Sequence, residues 1–192
     1  MKKLFGSILV LALVLGAPLA LAEEGAEVSK KEADRQEKRA EINKVADEAL
    51  AEVLKDAPKA QATFEKAQGW AVFDNLRVTF IVSGGGGTGV AVDKKSGSRT
   101  YMKMGTGGLS FGIGAQKYQV IMFFETRERL NNFIEKGWKA ETGASASAGD
   151  KGVNVATGFI DGIAVYQITE KGLMASADIS GTKYSLHKSL ND

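Results

Sequence analysis

Eleven of the 31 residues from 84 to 114 are glycine, and this density restricts the fold more than any other feature of the chain. Glycine at such frequency ordinarily marks a disordered linker. Here the glycines instead punctuate apolar and β-branched runs, Val78-Thr-Phe-Ile-Val82, Val90-Ala-Val92, Thr100-Tyr-Met-Lys-Met104 and Leu109-Ser-Phe-Gly-Ile113, each of which reads as a strand. The combination predicts tightly turned, twisted strands in which glycine supplies bulges and bends that a side chain would obstruct. Ser96-Gly97 fits a hairpin turn between two of them. By period two Leu109, Phe111 and Ile113 share one face and Ser110, Gly112 and Gly114 the other, so one face is apolar and the other nearly bare.

The chain opens with Lys2 and Lys3, an apolar run over residues 4–14 and Ala20-Leu-Ala22 before Glu23-Glu24. Residues 1–22 therefore have the layout of a secretory signal peptide that is cleaved. The run is shorter than the roughly 20 apolar residues a spanning helix needs. There is no cysteine, which excludes a lipid-anchored lipoprotein and a disulfide scaffold, so the expected location is the periplasm. Once Lys2 and Lys3 leave with the leader, the remaining basic residues balance the 23 acidic ones. About 170 residues remain, enough for one domain with its own core.

Residues 23–39 are polar and charged, and read as a flexible segment. From residue 40 to 192 the expectation is a single domain. Ile42, Val45, Ala46, Ala49, Leu50, Val53, Leu54 and Ala57 recur at helical spacing, which predicts an amphipathic helix ending near Pro58, with a short second helix over residues 60–67. Asp74-Asn75 reads as a turn ahead of the glycine-rich strands. Residues 118–124 form a continuous apolar run, the most buried strand expected in the chain. A helix follows, capped by Thr126 and ended by Gly137, with Leu130, Phe133 and Ile134 as its apolar face. Further strands are expected within residues 138–149, 163–169, 173–179 and 182–186, with turns at 150–152 and 170–172. Helices in front, many short strands and one interrupting helix predict an α+β fold. In it, N-terminal amphipathic helices pack on a glycine-rich, mainly antiparallel, barrel-like sheet with one inserted helix.

Enzyme chemistry finds little to build on. Gly108-Leu-Ser-Phe-Gly112 matches the pattern of a serine-hydrolase elbow, but that motif needs a helix after the serine and a histidine within reach. The single histidine, His187, lies near the C-terminus, where a solvated tail residue is expected. Gly84-x-Gly86-x-x-Gly89 matches the dinucleotide fingerprint, yet Val90-Ala-Val92 continues as strand and no acid lies about 20 residues on. One histidine and no cysteine offer no spaced metal-ligand set, and near-neutral charge argues against nucleic acid. No catalytic residue, cofactor, metal, nucleotide or nucleic-acid partner is expected.

The glycine-rich stretch is instead the basic part of the chain. Residues 77–117 contain Arg77, Lys94, Lys95, Arg99, Lys103 and Lys117 against Asp93 as the sole acid. Lys94 and Lys95 flank the turn, and period two places Arg99 and Lys103 on one face of the next strand. Lys94, Lys95, Arg99, Lys103 and Lys117 are the candidate contacts for lipid phosphate. Basic residues near an anionic bilayer contribute roughly 1 kcal/mol each. The plainer reading is a set of solvated lysines that keep a hairpin and a sheet edge soluble.

Several short pieces in order are similar to one family: Ala67-x-Gly69-x-x-x-Phe73, Gly86-Gly-Thr-Gly-Val90, Tyr101-Met-Lys-Met104, Gly112-Ile-Gly-Ala-Gln116, Phe124-Glu-Thr126, Val165-Tyr166, Lys171-Gly-Leu173 and Gly181. Together, over about residues 45–186, they resemble the SYLF lipid-binding domain in its bacterial envelope form. The resemblance implies a non-enzymatic module that binds phospholipid or an anionic membrane surface. Eukaryotic relatives bind phosphoinositide membranes, and some bind actin. The alternative is a structural or interaction protein of the envelope whose partner is another protein, with a serine hydrolase a distant third.

Overall fold

A computed structural model describes residues 17–139, 158–169, 172–174 and 182–192; within these, side chains are described from residue 27 onward except at 77, 79–83, 108–113, 139 and 172–174. The chain divides into two compact units, Met1–Glu37 and Lys38–Asp192. The expected signal peptide falls mostly outside the described residues. The expected strand over 140–149, the turns at 150–152 and 170–171, and the strand beyond residue 174 also lie outside them.

Residues 23–39 do not form the loose polar segment expected. They belong to helix α1, Ala17–Asp56. The reason is local: Ala, Glu, Lys and Arg are strong helix formers, and pairs at helical spacing, Lys31 with Glu27 at 2.6 Å and Arg35 with Glu32 at 3.2 Å, support the backbone without a core.

The second unit holds the sheet. In the Lys38–Asp192 unit, α1 turns Ile42, Ala46, Ala49 and Val53 into the core, with Leu50, Leu54 and Ala57 packed beside them. Alanines at the centre of this stripe let the helix lie close against the strands. Helix α2, Pro58–Lys66, starts at a proline, where the missing N–H has no helical partner to lose. It buries Ala60 and Thr63. Strands β1, Gly69–Asp93, and β2, Arg99–Phe124, then form one long antiparallel ribbon. Asp74 and Asn75 lie inside β1 and make no turn; the buried Asn75 amide donates to its own strand at the Phe73 carbonyl, 3.0 Å.

The ribbon bends sharply at residues 80–82, where its register shifts. Phe80 pairs with Ile113 but Val82 pairs with Leu109, so β2 carries two more residues than β1 through the bend. An even excess preserves the pleat. Trp70, Val72, Val90 and Val92 consequently stay on the face that receives α1 and α2, while Ala71, Phe73 and Ala91 stay on the opposite one. The bend brings the two ends of β1 together, and glycine permits the contact. A Cβ on Gly89 would lie 2.6 Å from the Phe73 ring and closer still to the Val72 carbonyl oxygen, and one on Gly87 would strike the Asp74 carbonyl.

Strand β2 organises the rest. One edge pairs with β1; the other pairs with β4, Ile163–Thr169, along Tyr118–Phe124 and with β6, Thr182–Leu186, along Met102–Thr106. Strand β5, Gly172–Met174, extends beyond β4, and β3, Trp138–Lys139, extends beyond β6. All of these pairs are antiparallel. Helix α3, Arg127–Lys136, is the one helix inserted between strands among the described residues and closes the second core over Phe73, Met102, Phe124 and Tyr184. The Thr126 hydroxyl caps α3 by accepting from the Arg129 N–H at 3.2 Å, and Gly137 ends it with positive φ, as its sequence predicts. The fold is α+β, with helices on a mainly antiparallel sheet. The sheet is strongly bent but, among the described residues, does not close into a barrel.

The C-terminus is anchored. Short helix α4, Lys188–Asn191, buries Leu190. The Asn191 amide donates to the Tyr101 carbonyl at 2.7 Å, and its oxygen accepts from the Tyr101 N–H at 2.9 Å, so one side chain imitates a neighbouring strand. His187 is part of this anchor and not of a solvated tail: its N–H donates to the Tyr101 carbonyl at 3.0 Å. Partial burial, with Lys38 and Lys103 nearby, holds its imidazole below the usual histidine range.

Candidate functional site

The turn at the open end of the ribbon is built on Asp93. Its Oδ1 accepts from the N–H groups of Lys95 and Ser96 at 2.9 and 2.8 Å, and its Oδ2 receives Arg127 Nε and Nη2, each at 2.8 Å. Gly97, at φ 71°, completes the reversal expected from Ser96-Gly97. The Ser96 N–H does most to hold the Asp93 carboxyl below its ordinary range, and Arg127 adds to this against the opposing effect of burial.

Around this turn the five candidate cations separate. Lys94 is exposed but engaged by α2: its ammonium lies 4.2 Å from the Phe64 ring centroid and donates to the Phe64 carbonyl at 2.7 Å, where a cation complements a helix C-terminus. Arg99 ties β2 to α1. Its Nη2 meets both Asp47 carboxylate oxygens at 2.8 and 3.1 Å, its Nη1 donates to Asn43 Oδ1 at 3.0 Å, and the guanidinium lies over Trp70. Lys95, Lys103 and Lys117 are exposed. The five therefore do not form one patch. Lys103 pairs with Thr88 and Lys117 with Leu76, on opposite sides of the bend.

The same register reveals a surface that charge counting missed. The helix-bearing face of β1 runs from buried Trp70 and Val72 through Asp74 to Leu76 and Val78, which are 43% and 50% exposed. Directly opposite on β2 stand Lys117, across from Leu76, and Ala115, across from Val78. Two large apolar side chains thus lie uncovered with an exposed ammonium at their flank. From Asn75 to Val92 and from Arg99 to Phe124 neither strand contains a carboxylate. The sequence signal for this patch was the alternation Leu76-x-Val78 leading into the bend, but only the pairing shows that Lys117 belongs with it.

Backbone geometry also bears on the two nucleophile and nucleotide motifs. Ser110 lies within β2, with strand on both sides and no helix following, and Gly84 to Gly89 lie within β1. Neither segment has the strand-turn-helix shape its motif requires. Among the described residues no group of three metal-ligating side chains comes together. No described helix is long and apolar enough to cross a membrane.

A family model described as "Ysc84: Las17-binding protein actin regulator" matches residues 105–192. Those residues belong to the Ysc84, or SYLF, family. The matched SYLF region begins within β2 and includes α3, β3 to β6 and α4. The SYLF domain as a family is a binding domain and not a known enzyme family. The chain is also 40% identical over 156 residues to "Beta cell expansion factor A" of Aeromonas veronii, an alignment covering 81% of this chain. It spans 60% of that relative's length.

Proposed function

We propose that this chain is an exported, non-enzymatic protein of the bacterial envelope that attaches to anionic phospholipid surfaces through the uncovered part of its β-ribbon. The observation that carries the reading is the continuation of one sheet face from the core past Asp74 out to Leu76 and Val78, flanked by Lys117, with no carboxylate on β1 from Asn75 to Val92 or on β2. Apolar side chains enter the acyl boundary, and an ammonium on a long stem beside them reaches the phosphate level. Membership of residues 105–192 in the SYLF family supports a binding role, and the leader-like residues 1–22 support export to the periplasm.

Flotation of the mature protein with phosphatidylglycerol and phosphatidylcholine vesicles tests this reading. Binding is expected on the anionic vesicles, weakening with salt as charge-driven attachment requires. Lys117→Glu should weaken it by roughly tenfold and Val78→Asp should abolish it, whereas Lys95→Glu, away from the patch, should change it less. Equal flotation of all variants would overturn the assignment of the face. Absence of flotation from wild type would favour the reading in which the envelope partner is another protein.

A further inference from the structure

Helix α3 places four side chains at spacing i, i+3, i+4 and i+7 on one face: Arg129, Asn132, Phe133 and Lys136. The apolar face of the helix, Leu130, Phe133 and Ile134, packs on the core, and this largely polar stripe runs along its border. Here only Phe133 is buried, and the other three line the mouth of a cavity of about 160 Å³ completed by Gly137, Trp138 and Ile163. The cavity wall is aromatic and fixed. Trp138 stacks on Tyr184 with ring centroids 5.8 Å apart and planes at 18°, and Phe133 packs on Tyr184 and on Phe124 at 5.6 and 5.0 Å. The Arg129 stem lies across the backbone of Gly162, whose absent side chain leaves room for it. Among the described residues no carboxylate lines the cavity, and neither the Arg129 guanidinium nor the Lys136 ammonium makes an ion pair or hydrogen bond.

From this we infer that the α3 cavity is a binding site for a small organic anion: a carboxylate or phosphate monoester carrying an apolar body about the size of a benzene ring. The body lies against Trp138, Phe133 and Ile163, and the anion sits between the Arg129 guanidinium and the Lys136 ammonium, with the Asn132 amide as a further polar contact. A cavity of about 150 Å³ with an apolar lining is known to admit benzene. The guanidinium supplies the forked geometry that recognises carboxylate and phosphate oxygens. The site is independent of the membrane reading, since none of its residues lies on the face of Leu76 and Val78.

Phenyl phosphate, benzoate and inorganic phosphate titrated into the isotope-labelled protein provide the test, read by amide and indole shifts in proton-nitrogen NMR. Saturable shifts are expected at the Trp138 indole and along α3 with phenyl phosphate, with a dissociation constant below about 10 mM, and inorganic phosphate should bind at least roughly tenfold more weakly. The double variant Arg129→Gln with Lys136→Gln, both exposed and without described partners, should keep the wild-type spectrum elsewhere and lose these shifts. Absence of saturation, equal binding of inorganic phosphate, or unchanged binding by the double variant overturns the site. The source of the ligand is read separately. If phenyl phosphate displaces the protein from phosphatidylglycerol vesicles, the anion is a lipid headgroup; if flotation is unaffected while the NMR shifts persist, it is a free solute.

Discussion

The glycines are not equivalent. Gly89 stands where β1 folds back on itself, with the Val72 carbonyl and Phe73 ring inside the space a methyl group would need. Both neighbours belong to fully buried strand residues, so neither yields easily. Gly105, in the partner strand and part of the same dense run, has nothing within 4 Å of the position a Cβ would take. Gly89→Ala should therefore destabilise the protein by about 1–3 kcal/mol, whereas Gly105→Ala should shift stability by no more than about 0.5 kcal/mol. Urea unfolding of the two variants checks this. Equal effects would show that glycine composition, and not close approach of the chain to itself, is what the ribbon requires.

Among the elements, the join between α1 and β2 has the most consequence for function, because it uses a residue that looked like a ligand contact. Arg99 spends its guanidinium on Asp47, Asn43 and the Trp70 face. The ion pair is partly exposed, with 29% of the arginine side chain and 54% of the aspartate open to water, so its electrostatic share is small and packing on Trp70 carries part of the effect. Arg99→Ala should lower stability by about 1–2 kcal/mol. The same variant should leave vesicle flotation, measured under conditions where it is folded, within about threefold of wild type. A large flotation defect with unchanged unfolding would return Arg99 to the membrane contacts. A charge reversal there would otherwise be misread as lost lipid binding.

At the scale of the whole molecule, the Asp93 turn connects the ribbon to α3 through Arg127, and its carboxyl titrates below the ordinary range when folded. The unfolded chain then takes up a proton more readily than the folded one as pH falls. The contribution of this group is complete above about pH 5 and is lost as acid titrates first the unfolded and then the folded carboxyl. The urea midpoint of wild type should therefore fall between about pH 5 and pH 2, and the fall should be shallower in Asp93→Asn. Parallel profiles for the two proteins would place acid sensitivity elsewhere.

Local sequence determined those elements whose causes are local. Thr126 and Gly137 mark both ends of α3, the run from Tyr118 to Phe124 gives the most buried stretch of strand, and Ser96-Gly97 gives the hairpin turn. Thr182 to Leu186 and Ile163 to Thr169, read as strands from their residue types, are β6 and β4 with the expected ends. Family membership was legible in the order of short motifs, because their spacing reflects a shared chain path. The bend in the ribbon was not legible, since it depends on a two-residue excess in β2 that appears only once pairing is known. Nor was the fate of the cations: the sequence places Arg99 and Lys103 on one face by pleat, but Arg99 is engaged only because α1 passes over it with Asp47 and Asn43. Asn191, near the end of the chain, could not be read as a strand surrogate for Tyr101, 90 residues earlier. Sequence therefore determined which segments are helix or strand and which residues prefer burial, because these follow from propensity and period. Tertiary structure decided which charges are used internally and which apolar residues stay uncovered, because both depend on segments distant in the chain meeting in space.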